Sequence, residues 1–276
     1  NKANQLLAQF PQCITSLHLN YQLAMAETNF IEAESYLKVA LEIIPDHPVL
    51  LLSQAQLSLS QYQYAAAVKL AAKAAAIYVG NNTAFLAAIN KVVMQAEQPG
   101  VAISVYQRML AAEPDNTHFK HQLALCYFFT NQLKKAYILL DEVIAQTPNN
   151  AGAIHLRSAL QTYTTKHNHI EDLKKLVTDL DSQHPAIYYA LAKELEDIAD
   201  YKESFAMLKQ GAALMRKQLS YDEVAELKSI ADIIKSTANI AVDSLVQDDS
   251  GPIFVVGMPR TGTTLVERVL TQHEDV

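Results

Sequence analysis

The sequence of 276 residues contains no tryptophan, only two cysteines and seven glycines, and no excess of positive charge. Cys13 and Cys126 are too few for a disulfide framework, so a reduced, cytoplasmic protein is expected. A net charge of −7 argues against a nucleic-acid partner, because binding a phosphate backbone needs a basic face. No apolar run approaches the roughly 18 residues of a membrane-spanning helix. The first residues also lack the pattern of a secretory signal. We therefore expect neither a membrane nor a nucleic-acid partner.

What the sequence does contain is apolar residues, which make up 50% of it. Abundant alanine and scarce glycine favour helix over sheet, so the predicted fold class is all-α. A self-similar pattern follows the chain: Pro114 and Pro148 lie 34 residues apart, and Pro45 lies 69 residues before Pro114.

Small residues recur at one equivalent position in four successive units, where they allow helices to approach closely. These residues are Ala33, Ala67, Ala102 and Ala136. The other repeating positions predict the core, and they are Leu17, Ala24, Leu37, Ala40, Leu51, Ala55, Ala71, Ala74, Leu86, Val93, Tyr106, Met109, Leu123, Ala124, Tyr127, Leu140 and Val143.

This pattern resembles the tetratricopeptide family over residues 14–150, which implies two antiparallel helices per unit. Degenerate repeats and capping helices are expected over 151–245, which makes residues 1–245 one solenoid. In the first of these, Ala151 to Gln183, the alanines are lost, but a helical periodicity remains in Leu156, Leu160, Leu173, Leu176 and Leu180. Pro185 starts a further helix pair, and an amphipathic helix is predicted from Asp222 to about Lys235. The pattern of the pair from Pro185 consists of Tyr188, Leu191, Ala192, Leu195, Phe205, Leu208 and Gly211. The resemblance implies a protein or peptide partner in the solenoid groove and allows a homo-oligomer.

A domain boundary is predicted at Gln247 to Pro252, because this stretch is polar and rich in turn residues. The following segment, residues 251–276, is expected to start an α/β domain. Ile253 to Val256 has the composition of a buried strand. Gly257 to Gly262 is a turn, and Thr263 opens an amphipathic helix. Free backbone N–H groups and the helix dipole at such a junction make an anion site.

The loop has the glycine spacing of a Walker P-loop, G-x-x-x-x-G-K-[ST], but Thr263 stands where that motif has lysine. The missing lysine argues against nucleotide hydrolysis, because that lysine acts on the β- and γ-phosphates. Arg260 adds a permanent charge whose planar fork fits phosphate or sulfate.

The residues from Pro252 to Val276 resemble the 5′-phosphosulfate-binding loop of the sulfotransferase superfamily, and the protein-tyrosine branch most. The shared motif is Pro-Arg-[Ser/Thr]-Gly-Thr-Thr, present here from residue 259 to 264. The resemblance implies a donor, 3′-phosphoadenosine 5′-phosphosulfate (PAPS), whose sulfuryl group passes to a hydroxyl, with tyrosine as the best guess. It implies Arg260 as a catalytic residue and a donor-binding set of Arg260, Thr261, Gly262, Thr263 and Thr264. The family's catalytic glutamate follows this helix, so the chain as given is expected to end early in the domain and to be inactive alone.

Other interpretations stay open at this point. The first is a non-enzymatic scaffold that binds proteins through the repeats, and the least favoured is a kinase-like or nucleotide-hydrolysing P-loop protein.

His273, Glu274 and Asp275 resemble the sulfotransferase family's His-Pro-Glu segment, with glutamate in place of proline. Glu267 is expected to be a solvated helix charge.

No metal is expected, although two groups of histidines invite the question. His118 and His121 lie three residues apart and are predicted to face the groove, but no third ligand is evident nearby. His167 and His169 have the spacing of a nuclease signature, but they are predicted to lie in an ordinary loop.

Overall fold

The fold is taken from a computed structural model, which describes residues 2–179, 184–238, 253–257 and 260–273. Within these residues the regular structure is helical, apart from an isolated β-bridge between Thr164 and His167, so the prediction of an all-α fold is confirmed. The chain divides into two compact units, Asn1–Leu219 and Ser220–Val276. Among the described residues no helix is both long and apolar enough to span a bilayer.

The helices of the first unit follow one another with short connections. They are α1 (Lys2–Gln9), α2 (Ile14–Ala26), α3 (Phe30–Ile43), α4 (Pro48–Ser60), α5 (Tyr64–Ile77), α6 (Thr83–Gln95), α7 (Pro99–Ala112), α8 (Thr117–Phe129), α9 (Leu133–Gln146), α10 (Ala151–Ala159), α11 (Ile170–Thr178), α12 (Pro185–Asp197) and α13 (Tyr201–Gln218). The second unit contributes α14 (Glu223–Thr237) and α15 (Thr263–Leu270).

Local sequence determines where these helices begin. Asparagine is the N-cap of α3, α6, α8 and α10, and each side chain accepts the backbone N–H of the residue three positions later. Such a cap contributes about 1 kcal/mol relative to alanine, because it satisfies an otherwise unpaired N–H. Proline opens α4, α7 and α12, where its missing N–H costs no hydrogen bond.

The turns inside the pairs α2–α3, α4–α5, α6–α7, α8–α9 and α12–α13 share one backbone conformation. The key residue of each turn has a positive φ: Thr28 (57°), Tyr62 (61°), Glu97 (56°), Asn131 (57°) and Ala199 (64°). The following N–H bonds a carbonyl five residues back, as from Gln132 to Tyr127 at 2.7 Å. This is a Schellman motif, and it reverses the chain so that the second helix packs on the first.

The interior confirms the predicted repeat. Ala33, Ala67, Ala102 and Ala136 are each fully buried where neighbouring helices cross. The other predicted core positions from Leu17 to Val143 are buried as well. Helix pairs α2–α3, α4–α5, α6–α7 and α8–α9 pack internally and on the next pair, which gives a solenoid.

The repeat after α9 is degenerate, as predicted, and its helices α10 and α11 have only nine residues each. The Thr164–His167 bridge lies between them. α10 packs on α9 and α12, while α11 packs on α12. Leu156, Leu160 and Leu173 of the predicted pattern are buried and Leu176 is half-buried. Leu180 lies outside the described residues.

The last pair of the unit, α12 and α13, partly corrects the sequence prediction. Tyr188, Leu191, Ala192 and Leu195 of α12 are buried as expected. Phe205 and Leu208 of α13 share the apolar pattern but are 70% and 41% exposed. Gly211 of the predicted pattern is buried, because it lies with Ser204 on the face of α13 that packs on α12.

In the second unit, α14 confirms the amphipathic helix predicted from Asp222 to about Lys235, and Asp222 caps it. α15 confirms the helix predicted to begin at Thr263. The predicted buried strand is not formed: residues 253–257 have no ladder, and Phe254 and Val256 are 81% and 91% exposed. A strand needs a partner to pair its backbone, and no described segment supplies one. The predicted boundary at Gln247 to Pro252 lies outside the described residues.

Candidate functional site

The loop before α15 is closed tightly. A Cβ added to Gly257 would lie 2.7 Å from Thr261 Oγ1 and 2.9 Å from Thr263 Cγ2. Any other residue at 257 would force these two threonine side chains to shift, so glycine allows the backbone to lie against Thr261 and Thr263. Met258 and Pro259 lie outside the described residues.

Two loop residues have a left-handed backbone, Arg260 at φ 65° and Gly262 at φ 95°. Glycine adopts this conformation without steric cost, whereas arginine pays on the order of 1–2 kcal/mol for it. Arg260 is exposed, two residues before the N-cap of α15.

The N-terminus of α15 has backbone N–H groups available. Leu265 and Val266 both donate to the carbonyl of Gly262, at 2.9 and 3.0 Å. The preceding Thr263 and Thr264 occupy the first two helical positions, whose N–H groups cannot reach an intrahelical carbonyl. Gly262, as N-cap, has no side chain to bond them. The loop thus brings together the predicted residues Arg260, Thr261, Gly262, Thr263 and Thr264 in one short turn, and these groups suit an anion.

The neighbouring acidic residues behave as expected where they are described. Glu267 is exposed on α15, which fits a solvated helix charge. Glu274 lies outside the described residues.

A second candidate site crosses the first helices of three consecutive repeats, and we call it the α2–α4–α6 groove. It holds a cavity of about 450 Å³. Its polar lining includes Gln22 from α2, Gln56 from α4, and Lys91 and Gln95 from α6. Carboxamides both donate and accept hydrogen bonds, so this lining can pair with the backbone of a polypeptide.

The floor of the α2–α4–α6 groove is a connected set of side chains. His18 Nε2 and Ser53 Oγ are 2.8 Å apart, and the Tyr21 hydroxyl donates to the Ser53 carbonyl at 2.8 Å. The pKa of His18 is lowered mainly by burial and to a smaller extent by the charge of His47. Burial raises the pKa of Tyr21 to about 12. Both groups are therefore neutral at neutral pH, and Lys91 is the charged member of the lining.

A buried carboxylate, Glu194, joins the degenerate repeat to α12. It accepts hydrogen bonds from Ser158 Oγ (2.6 Å), from His169 N–H (2.6 Å) and from His169 Nδ1 (3.1 Å). Burial acts to raise the pKa of Glu194, but the bonds from His169 and Ser158 outweigh it and hold the pKa below its ordinary value. This cluster has its polar atoms satisfied internally, which indicates a structural role.

Sequence reasoning missed Glu194, although a signal for it exists. Counting back in steps of 34 or 35 residues reaches positions that are apolar and buried, namely Leu160, Cys126, Val92 and Leu57. A carboxylate in that series is an outlier that requires buried partners.

Two further pairs of histidines were singled out in the sequence. His118 is exposed and His121 half-buried on α8. His167 and His169 lie in the connection between α10 and α11, as predicted for a loop. Cys13 and Cys126 are both free thiols, but Cys13 is the N-cap of α2 and does not lie within the helix.

Two protein-family models match segments of this chain. A family model described as tetratricopeptide repeat matches residues 93–160. The solenoid is therefore of the tetratricopeptide type. Its helix–turn–helix register extends from α2 to α9. A family model described as sulfotransferase family matches residues 252–276.

Similar proteins share the fold at low sequence identity. YrrB, described as a TPR protein with an unusual peptide-binding site, has a TM-score of 0.51 and 15% identity, covering 76% of this chain and 98% of YrrB. A structure of Naa15/Naa10 bound to HypK-THB has a TM-score of 0.51 and 17% identity, covering 86% of this chain and 39% of that one. An uncharacterized protein of Aquifex aeolicus (strain VF5) is 26% identical over 155 residues. That match covers 52% of this chain and 19% of the relative, so the chain spans about a fifth of its length.

Proposed function

We propose that the intact protein is a sulfotransferase, which moves a sulfuryl group from PAPS to the hydroxyl of a tyrosine in a peptide or protein. The observation that carries this proposal is the loop from Gly257 to Gly262. Arg260 lies two residues before the N-cap of α15, and Thr263 and Thr264 are the first two helical residues, positions whose N–H groups have no intrahelical acceptor. The sulfotransferase family match over residues 252–276 supports the same assignment.

In this proposal the loop binds the 5′-phosphosulfate. The N–H groups and hydroxyls of Thr263 and Thr264 bond the phosphate oxygens, and Arg260 neutralises the charge that grows on the departing bridging oxygen. The sulfur–oxygen bond to the donor phosphate breaks as a sulfur–oxygen bond to the acceptor hydroxyl forms. A general base takes the acceptor proton, and the resemblance places that base beyond α15.

The solenoid would hold the polypeptide acceptor. The α2–α4–α6 groove supports this role with a cavity of about 450 Å³ lined by carboxamides that can pair with an extended backbone. The same groove favours a second candidate function, a scaffold that binds a protein partner without sulfuryl transfer.

Transfer of radioactive sulfate from PAPS by the full-length protein tests the enzymatic proposal. Synthetic peptides with a tyrosine, and matched peptides with phenylalanine in its place, serve as acceptors. We expect label only on the tyrosine peptides and at least a hundredfold lower kcat in Arg260→Ala, because one preorganised charge contributes about 2.7–4 kcal/mol. Arg268→Ala, eight residues further along on α15, is the matched control and should keep the activity. Absence of transfer from folded protein would leave the scaffold as the function.

The role of the groove is tested separately with one acceptor peptide that is labelled. Gln56→Ala should raise KM for that peptide and leave kcat unchanged, because Gln56 lines the groove. Gln54→Ala is the control, since Gln54 lies on the same helix but does not line that cavity. Equal KM values for the two variants would remove the groove from acceptor binding.

A further inference from the structure

One face of α13, the last helix of the first unit, is committed to the solenoid. Ser204 and Gly211 are buried there, and α13 packs on α12. A Cβ added to Gly211 would lie 2.9 Å from Tyr189 Cε1 and 3.0 Å from Tyr188 Cβ. The small residues at 204 and 211 therefore allow the two helices to approach closely.

Another face of α13 presents an apolar stripe with alternating spacings of four and three residues. We define the α13 stripe as Tyr201, Phe205, Leu208, Ala212 and Met215 of the helix, together with Leu219 at its C-cap. This is the a/d pattern of a heptad repeat, which is typical of a helix that pairs with another helix.

The α13 stripe is exposed along its whole length. Tyr201 and Phe205 are 66% and 70% exposed, and Leu219 is 57% exposed. The solvent-facing side of an amphipathic helix is normally polar. An apolar heptad seam at this position therefore indicates an interaction surface.

The margin of the stripe is basic. Lys202, Lys209 and Arg216 each follow a d-position residue of the stripe, so all three fall on the same heptad margin. Lys217 adds a fourth positive charge to the helix. The acidic residue of α13 is Glu203, which is paired with a lysine of α11 at 3.0 Å. This basic margin stands out on a chain whose net charge is −7.

We propose that the α13 stripe binds an amphipathic helix of a partner protein, one with an apolar heptad seam and acidic residues along its facing margin. Charge complementarity decides the occupant, because opposite charges at heptad margins determine partner choice. A second copy of α13 is disfavoured, since an antiparallel pair would bring the basic margins together. This surface is distinct from the α2–α4–α6 groove, so the inference goes beyond the proposed function.

The test uses two synthetic 21-residue helical peptides of three heptads, with leucine at every a and d position. One carries glutamate at all e and g positions and the other carries lysine. Binding of each labelled peptide to the whole chain is followed by fluorescence anisotropy. We expect the acidic peptide to bind at least tenfold tighter than the basic one, and its affinity to fall as salt rises.

Variants on α13 locate the binding. Phe205→Asp should weaken the acidic peptide at least tenfold, and Lys209→Glu should narrow or reverse the preference for it. Gln210→Asp is the matched control, because residue 210 is exposed on the same helix at the heptad position opposite the seam. Equal binding of the two peptides, no binding, or binding that survives Phe205→Asp would overturn the proposal. Dimerisation in sedimentation that Phe205→Asp abolishes would assign the stripe to a second copy and would overturn it as well.

Discussion

Ser158 donates its hydroxyl to Glu194 across 2.6 Å, and both side chains are buried. The bond joins α10 of the degenerate repeat to α12 of the next pair. With the two bonds from His169, it replaces apolar packing by a hydrogen-bonded carboxylate at a core position of the solenoid. Folding of the last two repeats should therefore depend on the charge of Glu194.

We expect Glu194→Gln to lower the free energy of unfolding by about 1–3 kcal/mol at pH 7, because a buried hydrogen-bonding group loses part of its pairing. The pKa of Glu194 is depressed in the fold. Its charge therefore contributes stability above the unfolded-state pKa of about 4.3, and this contribution is lost as pH falls through the lower folded pKa. Urea unfolding followed by circular dichroism from pH 7 to pH 3 should show the difference from the wild type shrinking with acidification.

The control for this prediction is Glu196→Gln, an exposed position on the same helix. Its stability should stay within about 0.5 kcal/mol of the wild type. A difference between Glu194→Gln and the wild type that does not change with pH would contradict the account of the buried charge.

Arg108 ties α7 to the end of the preceding repeat. Its guanidinium donates to the carbonyls of Ala75, Tyr78 and Gly80 at 2.7, 2.5 and 3.3 Å. Arg108→Lys should cost about 1.5–3 kcal/mol of stability, because a single ammonium cannot reproduce the planar fork. Thermal unfolding followed by circular dichroism measures the loss. Lys69→Met removes an exposed charge on α5, and we expect it to leave the stability nearly unchanged in the same measurement. A loss of equal size in both variants would refute this role of Arg108.

The turn between α12 and α13 offers a test of backbone strain. Ala199 has φ 64°, which costs alanine about 1–2 kcal/mol relative to glycine, offset by about 0.4–1 kcal/mol of unfolded-state entropy. Ala199→Gly should therefore raise the melting temperature slightly. Ala206→Gly, an exposed position inside α13, should lower stability by about 1 kcal/mol. Changes of the same sign in the two variants would be inconsistent with the left-handed turn.

The loop before α15, the proposed donor site, is sensitive at Gly257, where a Cβ would collide with the side chains of Thr261 and Thr263. We expect Gly257→Ala in the full-length protein to weaken binding of 3′-phosphoadenosine 5′-phosphate at least tenfold while leaving the melting of the solenoid unchanged. In contrast, the nearest atom to a Cβ at Gly100 is 3.9 Å away, so Gly100→Ala should leave the affinity unchanged. Full affinity in Gly257→Ala would show that the loop need not be closed to bind.

The repeats could be predicted from sequence because their signal is periodic. Four alanines at one register position, and prolines 34 residues apart, predict both the helix pairs and the buried faces. Such a pattern shows which face of a helix is apolar but not whether another element covers it. For this reason Phe205 was grouped with the core although it is exposed, and the run at 253–256 was predicted to be a buried strand although no ladder forms.

The candidate sites differ in how far the sequence could predict them. The loop before α15 is contiguous in sequence, so the glycine spacing and Arg260 indicate it directly. The Glu194 cluster depends on residues 25 and 36 positions away, His169 and Ser158. The sequence shows that a glutamate at this position is unusual, but it does not show which residues bond it. The folding of the degenerate repeat brings those residues together.

The most direct test of the donor site is calorimetric titration of the full-length protein with 3′-phosphoadenosine 5′-phosphate, beside the Arg260→Ala variant and an ATP control. The account predicts tight binding of 3′-phosphoadenosine 5′-phosphate by the wild type, at least tenfold weaker binding by Arg260→Ala, and much weaker binding of ATP. Equal affinity for the two nucleotides, or no binding to correctly folded protein, would contradict a sulfotransferase donor site in the loop from Gly257 to Thr264.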